Sequence, residues 1–336
     1  MSTKRSMAGI VVVAVGVLAI VLTFTNNLYS VAPAFENLTD GFRPQMTADN
    51  ISDLRADLAV VAPVSDEFQN QVAPALAQQL GLSAEEFSAF VASEYPDVAA
   101  GLQALPAVGP QFSGVVDVLD EERARFASAD EIPTANLPAT TVPWGFMIAG
   151  IAAVLIGIGL LRGGLVAPAL ALALGAVMLF GSIVLSLPQK ADDADAMNAN
   201  LKPVYTAELI TNARGALQVL GAMGTEMQTE MLPDLAARLQ MTPEQLQGFL
   251  GQNFPALATA LGNFEAILGR FTTTVNVFDE QLPNYQEVTP VDLSTLEWTF
   301  VASGGVLMVL GGFILGADRG QRRATPVQVP SKRKVA

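Results

Sequence analysis

Four apolar stretches, each long enough to cross a bilayer, constrain this chain more than any other feature. A membrane-crossing helix needs about 20 residues. The stretches run from Met7 to Thr25, Trp144 to Leu161, Leu165 to Leu187 and Trp298 to Ala317, and none carries Asp, Glu, Lys or Arg in its interior. The second is the shortest and leaves little room for tilt. With 51% hydrophobic residues in 336, the chain reads as an integral membrane protein.

Charge sets the expected orientation. The short segments 1–6, 162–164 and 318–336 hold Lys4, Arg5, Arg162, Arg319, Arg322, Arg323, Lys332, Arg333 and Lys334 against one acid, Asp318. The long segments are acidic: 17 acids against 4 bases over 26–143, and 13 against 5 over 188–296. Positive loops stay on the cytoplasmic side, which places both termini and the Arg162-Gly163-Gly164 turn there. Trp144 and Trp298 then fall at the outer membrane edge, where indoles prefer to sit. The expected setting is a bacterial plasma (inner) membrane. The basic start and Ala32-Pro33-Ala34 also fit a cleaved signal, but the apolar run is long for one, and the span at 165–187 occupies the equivalent place further on.

The chain is also written twice. At an offset of 159, residues 71–122 fall on 230–281 without a gap. Pro74/Pro233, Leu76/Leu235, Glu85/Glu244, Phe90/Phe249, Pro96/Pro255, Phe112/Phe271 and Asp120/Asp279 are among the identical pairs. Such self-similarity marks a duplication. The unit is span, exported segment, span, so two copies share one orientation as a parallel repeat. The expected fold is all-α: four spans in two tandem repeats, each carrying an extracytoplasmic helical bundle (26–143 and 188–297). Ser83-Ala84-Glu85-Glu86 and Thr242-Pro243-Glu244-Gln245 predict capping boxes. Pro96 and Pro255 restart helices after Tyr95 and Phe254. Three stretches rich in Pro, Asp, Asn or Thr, 127–142, 189–200 and 282–293, read as linkers.

Candidate sites are few. The chain has no Cys and no His, so disulfides and the usual zinc, haem and copper ligands are absent. No cofactor or metal site is expected. Asp192, Asp193 and Asp195 offer carboxylates for calcium, but without the spacing of a calcium loop. Asp117, Asp120 and Glu121, partly repeated by Asp279 and Glu280, share a helical face as paired carboxylates do in glycosidases, though surface ion pairs explain them as well. Ala149, Ala153 and Gly157, and the Gly312–Gly316 pair, are steps that let membrane helices approach closely. Arg319, Arg322, Arg323, Lys332, Arg333 and Lys334 are candidate contacts for anionic lipid. Phe87, Phe90, Phe112, Phe249, Phe254 and Phe271 would be a core, or an apolar pocket for an acyl chain. Asn37 and Asn50 stand in glycosylation sequons that the second copy lacks.

No nucleotide-binding or hydrolase motif is present, and no folded basic domain suggests nucleic acid. The reading is a non-enzymatic scaffold or accessory subunit of the cell envelope that meets membrane lipids and an envelope protein partner. Lipid binding or transport through an apolar cavity in the helical domains is the second reading. An extracytoplasmic sensor needing a separate signalling partner is the third.

Overall fold

The structure is a computed structural model that describes the backbone of residues 3–134 and 136–324, and the side chains of 5–134 and 136–317. Among the described residues every extended element is helical, apart from one isolated bridge between Thr134 and Leu137. The helices are α1 (Thr3–Thr25), α2 (Leu28–Phe42), α3 (Ala48–Val61), α4 (Val64–Glu67), α5 (Ala73–Leu80), α6 (Ala84–Glu94), α7 (Pro96–Asp130), α8 (Val142–Leu161), α9 (Ala167–Val184), α10 (Leu187–Leu201), α11 (Ala207–Glu226), α12 (Leu232–Arg238), α13 (Pro243–Asn253), α14 (Pro255–Val288) and α15 (Leu293–Ala324).

Many boundaries recur at a spacing of 159. α2 and α10, α6 and α13, and the starts of α3 and α11 and of α7 and α14 all differ by that number. π-Helical turns at Phe68–Val72 and Met227–Met231 do so too. Pro74 and Pro233 follow these turns, and a proline cannot donate the bond that would continue a regular helix. Both capping boxes form. Ser83 Oγ accepts from Glu86 N while Glu86 Oε2 accepts from Ser83 N, and Thr242 and Gln245 pair in the same way.

The chain divides into two compact units. The first comprises residues 1–37, 127–196 and 286–336, and contains the four apolar helices; the second comprises Leu38–Phe126 and Met197–Tyr285. This differs from the two separate bundles expected at 26–143 and 188–297. The buried residues of the two stretches make one core, because each contributes helices with a single apolar face. Such a repeat buries that face only against a neighbour. Val64/Met223, Phe68/Met227, Val72/Met231, Leu76/Leu235, Phe87/Leu246, Val91/Leu250, Tyr95/Phe254 and Val98/Leu257 all lie in this core, and every pair is separated by 159. Phe112 meets its own counterpart Phe271 edge-on, with ring centroids 4.9 Å apart.

In the first unit, the stretches Arg5–Thr25, Ala139–Leu161, Ala167–Val184 and Leu293–Ala317 are long and apolar enough to cross a membrane, with mean hydropathies of 2.0 to 2.8. These four helices fit a multi-pass membrane protein. α1 packs along α8, and α9 along α15. Ile148, Leu155, Val177 and Val184 are left exposed, as lipid-facing side chains are.

The expected linkers are corrected. Residues 189–200 lie within α10, because Ala191, Ala194 and Met197 are buried at helical spacing. The stretch at 282–293 continues α14 as far as Val288, and α7 extends to Asp130. Acids and asparagines suggested exposure, but a one-faced helix needs only a third of its residues apolar.

Candidate functional site

α7 and α14 begin at Pro96 and Pro255, and neither residue before them can cap a helix: the Tyr95 hydroxyl lies at the far end of its ring, and Phe254 has no side-chain oxygen. The first amide N–H groups would stay unpaired. The missing acceptor comes from the other copy. Glu67 accepts from Leu257 N (2.6 Å) and Ala256 N (3.3 Å). Glu226 accepts from Val98 N (2.7 Å). Glu67 and Glu226 are themselves 159 residues apart, so each of the two stretches caps the long helix of the other. A carboxylate here also meets the positive end of the helix dipole. Sequence reasoning missed both residues, although an acid repeated at the offset, with no local cap at Tyr95 and Phe254, was the available signal.

A second bond between copies is one-sided. Arg270 on α14 clasps Asp57 on α3 through Nε–Oδ2 (2.6 Å) and an Nη2–Oδ1 contact (2.5 Å). Its guanidinium pKa is raised, first by this hydrogen bond. Asp57 is only 5% exposed, so Arg270→Ala leaves a nearly buried carboxylate unpaired. Fully buried pairs lose about 3–5 kcal/mol in that way. The half-exposed arginine reduces the effect, and we expect about 1–2 kcal/mol, read as a lower denaturant midpoint.

Tyr95 Oη donates to Asp234 Oδ2 (2.5 Å), and Arg238 Nε donates to the same oxygen (2.6 Å). Arg238 also covers the Phe90 ring, 4.9 Å from its centroid. The Tyr95 hydroxyl, followed by Arg238, holds Asp234 below the usual carboxylate range, and burial pushes the Tyr95 pKa up. A depressed carboxylate adds stability above its unfolded pKa of about 3.9, and that contribution is lost as pH falls through the folded value. Tyr95→Phe should therefore lower stability by about 1 kcal/mol at neutral pH. The gap to wild type should narrow below about pH 4, in denaturant titrations from pH 7 to 3.

Six of the carboxylates singled out from sequence, Asp117, Asp120, Asp279, Asp192, Asp193 and Asp195, have partners in the structure. Arg55 bridges Asp120 (2.6 Å) and Asp117 (3.1 Å), and Arg214 pairs with Asp279 (2.7 Å). The two arginines stand 159 apart, as Asp120 and Asp279 do, so these acids brace α3 against α7 and α11 against α14. The three aspartates of α10 point to separate partners. Asp193 accepts from Ser128 Oγ (2.7 Å), Asp192 accepts from Ser294 Oγ, and Asp195 accepts from Ser294 N (2.7 Å) and Leu293 N (3.2 Å). Burial pushes the Asp195 pKa up against the effect of those two amides. No group of three or more acidic residues suited to a metal occurs among the described residues.

Of the six aromatics expected to line one pocket, only Phe112 and Phe271 border the apolar cavity between α3, α7, α11 and α14. It measures about 80 Å³, too small for an acyl chain. Phe87 and Phe254 are buried in the core, and Phe90 and Phe249 pack on its rim. The six follow the two-copy arrangement and so are spread around the core.

The glycine expectation also changes. Ala149, Ala153 and Gly157 lie buried on α8, with Gly157 and Gly150 against α1. Gly312 touches only Leu172 Cδ1 at 3.9 Å, and Gly316 has open space. The tight positions on α15 are Gly304 and Gly311. A Cβ on Gly311 would lie 2.5 Å from Leu172 N, and one on Gly175 2.5 Å from Gly304 O and Met308 N. Glycine spacing alone did not tell which of the adjacent Gly311 and Gly312 faced the partner helix. Arg319, Arg322 and Arg323 continue α15, with side chains outside the described residues; Lys332, Arg333 and Lys334 lie wholly outside them.

One larger space belongs to the first unit. A cavity of about 220 Å³ lies among the starts of α2, α8, α10 and α15, lined by Leu28, Phe146, Leu187, Leu296, Glu297 and Phe300 among others. No known protein family matches the chain, and no curated protein or solved structure is significantly similar to it.

Proposed function

We propose that this chain is a non-enzymatic scaffold or accessory subunit of a bacterial cell envelope. In this reading the four apolar helices span the plasma membrane with both termini cytoplasmic. The second unit is then extracytoplasmic, built from two tandem copies fused into one pseudo-twofold body. The observation that carries the proposal is the reciprocal capping by Glu67 and Glu226 over a shared core. The Arg270–Asp57 pair adds a second link between the copies, and the Arg55 and Arg214 pairs brace each copy internally, so these carboxylates serve the packing of the body. A locked helical body with an acid-rich surface supports docking of a basic or polar partner protein.

The test is purification of the tagged full chain from native membranes in mild detergent, with crosslinking and mass spectrometry. A stoichiometric protein partner, crosslinked to residues of the second unit, is the expected result. A chain that purifies alone at every detergent strength overturns the reading. Lipid handling is the second reading. The cavity at Phe112 and Phe271 gives it little support, at about 80 Å³; the cavity of about 220 Å³ in the span-bearing unit, and an open space of about 540 Å³ beside Leu232, Leu246, Leu250 and Leu261, support it instead.

A further inference from the structure

The cavity at one end of the four apolar helices combines three features. Its volume, about 220 Å³, exceeds the roughly 150 Å³ of an apolar cavity that accommodates benzene. Its wall is apolar, with the tilted rings of Phe146 and Phe300 4.6 Å apart between centroids, apart from a few polar groups that include one carboxylate, Glu297. That residue is 9% exposed, and its Oε1 has no hydrogen-bond partner. Ser182 supplies a hydrogen bond to the carboxyl group, and no arginine or lysine among the described residues reaches it. A buried carboxyl group with a free oxygen is costly unless a donor fills the vacancy, and a cationic donor also neutralises its charge. The helix starts that build the wall also carry Trp144 and Trp298, 59% and 52% exposed. Indoles in such positions mark the level of lipid headgroups.

We propose that this cavity seats the primary ammonium of a bilayer lipid, with Glu297 as its acceptor. The apolar wall covers the short carbon linker, and the acyl chains remain in the bilayer. The cavity offers no phosphate-binding cation, so recognition rests on the N–H donors. A trimethylated ammonium carries the same charge without a donor and should be rejected.

The experiment presents the purified full chain with equal amounts of phosphatidylethanolamine, phosphatidylcholine and phosphatidylglycerol in mixed micelles, and counts retained lipid by native mass spectrometry. Phosphatidylethanolamine should be retained about tenfold over phosphatidylcholine, and Glu297→Gln should abolish that preference. Equal retention of the first two lipids, or preference for phosphatidylglycerol, overturns the proposal. So does a preference that survives in Glu297→Gln. A second measurement does not depend on the variant folding: a carbodiimide, which joins carboxylates to primary amines, should couple phosphatidylethanolamine to Glu297 in the wild-type chain. Failure to couple overturns the assignment, as does coupling to a lysine of a co-purifying protein. Free ethanolamine coupling as readily as the lipid would show a soluble amine to be the occupant, and the lipid assignment would fall. Neither experiment depends on a protein partner, so the proposal and the scaffold reading fail separately.

Discussion

Replacing Gly175 by Ala should destabilise the unit of four apolar helices by about 1–3 kcal/mol, the usual effect of forcing a methyl group into a filled contact. The added Cβ would sit 2.5 Å from both Gly304 O and Met308 N, which are backbone atoms that no rotamer change can move. α9 and α15 must separate, and the loss spreads along their whole contact. Gly16→Ala should do the same to α1 and α8, because its Cβ would lie 2.5 Å from Gly150 O. Gly312→Ala and Gly316→Ala are the discriminating controls. Both positions have room, and each should change stability by less than about 0.5 kcal/mol. Thermal unfolding of the detergent-solubilised chain gives the comparison. Equal losses at Gly175 and Gly312 would show that Gly312, and not Gly311, faces α9.

Glu67→Ala and Glu226→Ala should each lower the stability of the second unit by about 2 kcal/mol, the value of a charge-assisted bond to buried amides. For a body built from two stretches of 89 residues, Leu38–Phe126 and Met197–Tyr285, that corresponds to about 4–8 °C in Tm. The two losses should be similar, because the residues occupy equivalent places, and close to additive, because they cap different helices. Gln in place of Glu keeps an acceptor oxygen and removes the charge, so Glu67→Gln should lose about half as much. The larger consequence is for assembly. With both carboxylates removed, the chain should become markedly more sensitive to protease in the short helices α4–α6 and α12–α13, because the contacts that hold one copy to the other are weakened. Circular dichroism melting and limited proteolysis report the two effects separately. A double variant as stable and as resistant as wild type would show the caps to be incidental.

The sequence by itself determined what is local or periodic. Apolar runs free of charge specify the four long helices, since an unpaired backbone cannot lie in hydrocarbon. Ser83 and Thr242, each with a Glu or Gln three residues on, specify capping boxes from neighbouring residues alone. The offset of 159 shows which positions would be equivalent. Tertiary structure alone decided how the equivalent parts meet. The caps of α7 and α14 come from Glu226 and Glu67, 128 and 189 residues away along the chain from the amides they receive. Nothing local to Tyr95 or Phe254 names those acceptors. The helical state of 189–200 depended on whether Ala191, Ala194 and Met197 found a surface to cover, and polar composition argued the other way. The choice of Gly311 over Gly312 rested on helix rotation, about 100° between adjacent residues, which adjacent glycines leave unmarked. Glu297 read as the last acid before a span, and became a candidate acceptor only when Phe146, Leu187 and Phe300 closed around it. Local chemistry is read within a few residues, whereas a cap or cavity assembled from distant segments exists only after the chain has packed.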